Sequence, residues 1–278
     1  MCRLYGFLAT DPTRVECSLV ESQNALLLQS KRDRRGVPNR DGWGLAAWQD
    51  GVPTVERRTR SAHADVEFVE TARRTSSTAV ISHVRAATVG DPSEENTHPF
   101  QHGPWVFAHN GTITGFEAVA PLLDPSEFGP PQGDTDSELV FRWLLSRMDR
   151  YGLDADRVAS GTGPIVRLLS EAVHAIVGMT KAVGARRPAK LNFILSDGKH
   201  LAASRWGNSL YWTMRQGIRD CTVCGLSHCP DADNSYRAIA IASEPMTKET
   251  WHEVQEGSII AVDERAILTT TDLLVRAA

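Results

Sequence analysis

The sequence predicts an α+β protein in which helices flank largely antiparallel sheet. Two observations carry that expectation. Strand-like segments come first, two long helical segments follow, and strands return to the end, unlike the strand–helix alternation of a doubly wound fold. The strands are also separated by tight turn signals such as Asp-Gly, which join antiparallel neighbours. With 278 residues, 41% of them hydrophobic, the chain can bury a sizeable core.

The elements follow in order. RLYGFLA (3–9) reads as a buried strand, and GWGLAAWQDGVPTVERRT has the alternation and Asp-Gly turn of a hairpin. DVEFVETARRT carries helical spacing, and TAVISHVRAAT returns to strand. PWVFAHNGTI is expected to be a strand ending in an Asn-Gly turn. DTDSELVFRWLLSRMDRYG predicts a helix, with polar capping residues ahead of Leu139, Val140, Trp143, Leu144 and Leu145. A second long helix covers PIVRLLSEAVHAIVGMTKAV, with Pro164 tolerated in its first turn. KLNFILSDGKHLAASRWGNSLYWTMR, YRAIAIASEP and SIIAVD then supply the closing strands.

A net charge of −4 and the lack of a dense basic tract disfavour a nucleic-acid partner. The short clusters KRDRRG (31–36) and RRTR (57–60) read as solvated loops. No apolar run reaches the roughly 20 residues of a membrane helix. Asp11 and Arg14 interrupt any signal-peptide pattern, so no membrane role is expected and the cytoplasm is the expected location. Five cysteines, an odd number, argue against a secreted disulfide framework.

Cys2, directly behind Met1, is the first candidate for chemistry. A buried free thiol is ordinarily an inert apolar residue. Removal of Met1, which a small second residue permits, would place a thiol and an α-amine on one residue. That amine has a reference pKa of about 8, against about 10.4 for lysine, and suits it to act as base for its own side chain. Five other segments offer matching groups. RDGWGLA (40–46) places glycines on both sides of Trp43, and SHVRAAT puts Arg85 where a charge needs a partner or an anionic ligand. ENTHPF and FAHNGTI supply His98, His109, Asn110 and Gly111, of which Asn110 and Gly111 offer oxyanion donors of the usual type. GDTDSEL sets Asp134 and Asp136 at a helix start, where acids also serve as ordinary caps.

The series MCRLYGF, DGWG, HVRAAT, ENTHPF, AHNG and DTDSE, in this order over about the first 145 residues, resembles the class II glutamine amidotransferases, the N-terminal-nucleophile glutaminase family. ILSDGKHLAASRWG and IASEP resemble its stand-alone members. The resemblance implies a four-layer αββα sandwich of two antiparallel sheets, formed as one amidotransferase type-2 domain over residues 1–278. It makes Cys2 the nucleophile and its own α-amine the base, with Asn110 and Gly111 as the oxyanion hole. Arg85 would take the substrate α-carboxylate and Asp136 its α-ammonium group, with His98 and Trp43 on wall segments. The implied reaction is thiolate attack on a γ-amide, release of ammonia or an amine, and hydrolysis of the thioester, with no cofactor for catalysis.

Most such enzymes carry a synthase domain, for which the chain up to Ala278 leaves no room. It is therefore expected either to hydrolyse a γ-glutamyl small molecule or to supply ammonia to a separate synthase partner. ALLLQSKRDRRGVPNRDGWG is similar to the γ-glutamyl hydrolase branch of ergothioneine biosynthesis. ENTHPF and GDTDSEL look more like uncharacterised stand-alone members, so the branch stays open. A non-catalytic sensor of glutamine or a γ-glutamyl metabolite is the alternative of another class. It would have little need of Cys2, Asn110 and Gly111 together. Finally, CTVCGLSHC offers Cys221, Cys224, His228 and Cys229 as ligand types for a structural zinc, which the resemblance does not foresee. The alternative there is a loop with free thiols or a local disulfide.

Overall fold

The computed structural model describes residues 2–32, 36–123, 129–217, 221, 223–229 and 233–274. Met1, residues 33–35 of the first basic cluster and residue 222 of the cysteine-rich loop fall outside them.

Strand β1 (Arg3–Arg14) outruns its apolar segment because it keeps pairing with β4 (Ser76–Val84) beyond an irregularity, as far as Arg14↔Ser76. The predicted hairpin forms from β2 (Trp43–Gln49) and β3 (Val52–Arg58). Its turn holds Asp50 at φ 51° and Gly51 at φ 81°, the left-handed pair that a two-residue hairpin loop demands. With β9 (Tyr211–Gln216), β10 (Arg237–Ala242) and β11 (His252–Glu253), these strands make a seven-stranded sheet in the order β11-β9-β10-β1-β4-β2-β3. The second sheet has β5 (Phe100–His102), β6 (Trp105–Thr112), β7 (Lys190–Ser196), β8 (Leu201–Arg205), β12 (Ser258–Val262) and β13 (Leu268–Asp272). Its order is β13-β12-β8-β7-β6-β5. The described pairings are antiparallel throughout.

The alternation of side chains along each strand sorts them into three apolar layers. Leu4 and Leu8 of β1 meet Val106, Ala108, Ile194 and Ala203 between the sheets. Tyr5, Phe7 and Ala9 point the other way, onto Leu26 of α1 (Leu26–Lys31) and Phe68 and Ala72 of α2 (Val66–Arg74). Trp105, Phe107, Leu191 and Phe193 of the second sheet face α4 (Asp136–Leu145) and α5 (Thr162–Ala182), and the single turn α3 (Phe116–Val119) adds Val119 to the same layer. The result is the helix–sheet–sheet–helix sandwich. Burying one side chain such as Phe68 contributes about 1.5–3 kcal/mol, so the outer helices are held by their apolar faces rather than by propensity.

Helix α4 starts at the N-cap Thr135. The Thr135 hydroxyl accepts the Glu138 N–H, and the Glu138 carboxylate reaches back to the N–H groups of Gln132 and Gly133. One local expectation fails. Asn110-Gly111 is not a turn: β6 runs through both to Thr112, paired with β7 as Asn110↔Asn192 and Gly111↔Leu191. Gly111 is required by that pairing, since a Cβ there would run into the Lys190 carbonyl oxygen and the His109 ring. Helix α1 and the short strands β5, β11 and β13 lay beyond the sequence reading, because each is brief and takes its shape from tertiary neighbours.

Candidate active site

The first residues are pinned from both sides. Arg3 is buried, and its Nε and Nη2 donate to Glu244 Oε1 at 3.0 and 2.7 Å while Nη1 donates to the Cys2 carbonyl at 2.9 Å. The Leu4 N–H donates to Ser243 Oγ at 2.9 Å. Because Arg3 lies opposite Val84 in the β1–β4 register, Cys2 falls beside Arg85 and Ala86. The Ala86 N–H points at Cys2 Sγ at 3.3 Å, and the thiol faces the Ala86 carbonyl at 3.4 Å. Burial pushes the Cys2 thiol above its ordinary value, outweighing the Ala86 amide and the Arg85 charge that pull it down. At neutral pH the group is a thiol, and a base must take its proton before it attacks.

The DGWG segment sets the strand opposite. Asp41 Oδ2 accepts the Ala87 N–H at 2.7 Å, and the Gly42 carbonyl accepts the Arg85 N–H at 2.8 Å. The Arg85 side chain is buried and donates to the carbonyls of Val89, Gly90 and Asp91 at 2.9, 2.9 and 3.1 Å. These are neutral acceptors that take three of five N–H donors, so the fork keeps its charge and donors for an anion. Burial pulls its pKa down, while Cys2, Asp41, Asp134 and Asp136 act in the opposite sense.

Asp136 sits in the first turn of α4. Its Oδ2 accepts the Ile113 N–H at 2.8 Å and its Oδ1 the Ser137 hydroxyl at 3.0 Å, which ties the helix start to the end of β6. Asn96 joins this segment to the loop that holds Arg85. Its amide donates to Asp91 O and Asp134 Oδ1 at 3.0 and 2.6 Å, and its oxygen accepts the Asp134 N–H at 2.9 Å. Asp134 is thereby a loop tie, and Asp136 is the acid whose charge reaches both Cys2 and Arg85. His109 packs behind, its Nε2 against the Lys190 carbonyl at 2.8 Å and its Nδ1 against Ser137 Oγ at 2.9 Å. The carbonyl fixes the proton on Nε2, so Nδ1 and Asp136 Oδ1 share the single Ser137 hydroxyl proton, and burial lowers the His109 pKa against the pull of Asp136.

Asn110 faces the space between the sheets. Its Nδ2 donates to Ser243 Oγ at 3.1 Å, and its backbone carbonyl accepts from Asn208 Nδ2 at 2.9 Å. Asn208 is held in turn by Asn192, whose Oδ1 accepts the Trp206 and Asn208 N–H groups. Strand β5 pairs with β6 only as far as Phe107, so the edge of β6 that carries Asn110 and Gly111 continues past its neighbour. Ser243, Asn208, Asn192 and Glu244 were not singled out in the sequence. IASEP and RWGNS contain Ser243, Glu244 and Asn208, but no local pattern reveals that they converge on Asn110 and Arg3 across the sheets.

Cys2, Arg85, Asp136, Asn110 and Gly111 thus cluster at neighbouring strand ends and one helix start. The two expected wall residues, Trp43 and His98, are both buried. Trp43 turns onto α2, where its Nε1 donates to Asp65 Oδ2 at 2.9 Å and its ring meets Phe68 edge-on at 5.2 Å, making it a core residue. His98 is buried between His83 and Phe100, with ring centroids 4.3 and 4.7 Å away. Among the described residues, no ring nitrogen of His83 or His98 has a hydrogen-bond partner. Burial holds both neutral, with the His83 pKa lowered to about 3. Of the expected zinc ligands, Cys221, Cys224 and His228 meet, but their fourth neighbour is Cys17 rather than Cys229. Cys229 faces the apolar layer beside Tyr236.

Comparison with known proteins identifies the family and the fold. The family model of the class-II glutamine amidotransferases matches residues 1–276. The probable glutamine amidotransferase DUG3 of Saccharomyces cerevisiae is 29% identical over 96% of this chain and 83% of its own length. The gamma-glutamyl-hercynylcysteine sulfoxide hydrolase of Mycolicibacterium smegmatis is 28% identical over 97% of this chain and 99% of its own. A glutamine aminotransferase class-II domain protein from Silicibacter pomeroyi has a TM-score of 0.64 at 21% identity. That likeness covers 97% of this chain and 98% of that one, and speaks for the fold.

Proposed function

The chain belongs to the class-II glutamine amidotransferases, and from that premise we propose that it hydrolyses the γ-amide bond of glutamine or a γ-glutamyl conjugate through a Cys2 thioester. The observation that carries the proposal is the convergence of a thiol, an unneutralised guanidinium, a carboxylate and an Asn-Gly strand edge at one place. Arg85 takes the substrate α-carboxylate by its remaining N–H donors, and Asp136 takes the α-ammonium. With Met1 removed, the Cys2 amine accepts the thiol proton and the sulfur attacks the γ-carbonyl carbon. The Asn110 amide and the Gly111 N–H receive the negative charge on the carbonyl oxygen. The C–N bond then breaks, the proton goes to the departing nitrogen, and water hydrolyses the thioester to glutamate. Asn110 is preorganised because Ser243 and Asn208 fix it before substrate arrives.

The gamma-glutamyl-hercynylcysteine sulfoxide hydrolase relatives favour a γ-glutamyl conjugate as the substrate class and release of the amine to solvent. A comparison of rates tests the reading. Glutamine and γ-glutamyl amides are expected to be cleaved, whereas N-acetylglutamine and α-carboxyl esters, which lack one charge each, are expected to be poor substrates. N-acetylglutamine turned over as fast as glutamine would remove the role of Asp136. Inert γ-glutamyl compounds would remove the substrate class.

A further inference from the structure

At the other end of β1, far from Cys2, three thiols and an imidazole meet without belonging to the amidase site. The chain leaves β1 at Arg14 and turns through a short helical segment, Cys17–Glu21. Cys221, Cys224 and His228 belong to the long connection between β9 and β10, and the Arg14 N–H bonds the His228 carbonyl at 2.9 Å, which brings the two segments together. One ligand atom from each of Cys17, Cys221, Cys224 and His228 lies within 4.8 Å of every other, with Cys224 Sγ 3.3 Å from His228 Nε2. A tetrahedral zinc with Zn–S of about 2.3 Å and Zn–N of about 2.0–2.1 Å needs ligand–ligand separations of about 3.6–3.8 Å. A closing movement of about an ångström completes the site.

The backbone offers a second observation. The Val223 N–H aims at Cys221 Sγ at 3.4 Å. Gly225, at φ +72°, turns the chain directly behind Cys224, and its N–H closes back on the Cys221 carbonyl at 2.8 Å. Cys221 and Cys224 thus stand at the two-residue spacing of tetrahedral zinc sites, with the turn between them and the other two ligand atoms close by. We propose that Cys17, Cys221, Cys224 and His228 bind one zinc ion that fastens the β9–β10 loop to the exit of β1. A soft set of three sulfurs and one nitrogen suits zinc, and four protein ligands leave no open position, so the ion is structural rather than catalytic. Cys2 lies at the opposite end of a strand of 12 residues, roughly 40 Å along the chain. The site adjoins a cavity of about 470 Å³ lined by Cys17, Cys221, His228, Arg215, Trp212 and Tyr236, whose wall the ion would stiffen.

The test is metal analysis of protein made in zinc-containing medium and purified without chelator. About one zinc per chain is expected. Cys17→Ser and Cys224→Ser should each bring it to background, while Cys229→Ser should keep it. Cys224 is exposed, so its variant tests the ligand without disturbing a packed side chain. Replacement by cobalt(II) should give the intense visible bands of a tetrahedral thiolate site, in wild type and Cys229→Ser alike. Zinc removal should lower Tm and leave kcat for γ-amide hydrolysis unchanged. Metal at background in the wild type would overturn the proposal, as would a disulfide among these cysteines in the native protein. Zinc lost with Cys229→Ser but kept with Cys17→Ser would overturn the ligand set.

Discussion

Ser243→Ala isolates how the molecule aims its oxyanion donor. Ser243 Oγ receives two donors, the Leu4 N–H at 2.9 Å and Asn110 Nδ2 at 3.1 Å, and so links the strand behind the nucleophile to the group that meets the oxyanion. Removing the hydroxyl leaves the Leu4 N–H buried without that acceptor, a cost of about 1–3 kcal/mol in stability. At about 2–4 °C per kcal/mol for a chain of this size class, Tm should fall by several degrees. The catalytic effect is separate. Asn110 keeps its hold on Asn208 and stays near its place, so the loss is that of one neutral hydrogen bond, about 0.5–1.5 kcal/mol, or about 2- to 13-fold in kcat. Asn110→Ala removes the donor itself and should cost about 10²- to 10³-fold. If Ser243 acts through Asn110, the double variant should be little slower than Asn110→Ala alone. Glutamate release at saturating substrate gives kcat for the four proteins, with Tm measured alongside. A double variant slower than Asn110→Ala by the full Ser243→Ala factor would refute the linkage and give Ser243 an independent role.

Cys2→Ala should abolish hydrolysis while substrate binding, read by calorimetry, persists; residual turnover near wild type would reassign the nucleophile. Asp136→Asn should weaken binding of glutamine by roughly 30- to several-thousand-fold, the range for a buried charge contact losing one partner at about 2–5 kcal/mol, and an unchanged KM would exclude the ammonium role. The protein should lose stability in acid, because His83 titrates at about 3 when folded and near 6.5 when unfolded. The unfolded chain then binds more protons between those values, so stability rises with pH across that window and falls by about 1.4 kcal/mol per unit on acidification for this residue. Denaturant titrations of His83→Phe should show a slope shallower by that amount from pH 6 to 4, and an unchanged slope would place the acid sensitivity elsewhere.

What the sequence made legible was what depends on local chemistry. The Asp50-Gly51 turn, the Thr135 N-cap and the two long helices are written in contiguous residues. So were the candidate groups at Cys2, Arg85, Asn110, Gly111 and Asp136, each inside a short motif. The Asn-Gly pair misled because the same dipeptide that makes turns also meets a steric demand in a strand: the approach of β7 forbids a Cβ at Gly111. Trp43 misled because a residue beside the site in sequence points to the opposite face of its strand. Cys17 was missed as a companion of Cys221 and Cys224 because some 200 residues separate them, and the β1–β10 pairing together with the Arg14–His228 backbone bond brings the two segments together. Ser243, Glu244 and Asn208 were likewise fixed by contacts between strands distant in the chain.

The central claim is that Cys2 is a nucleophile with its own amine as base, and intact-protein mass spectrometry with a glutamine-analogue electrophile tests it most directly. The account predicts a chain lacking Met1 that gains one adduct, located by peptide mapping at Cys2, with activity lost in step with labelling. Full activity in protein that retains Met1, or inactivation by an adduct elsewhere with Cys2 unmodified, would contradict it.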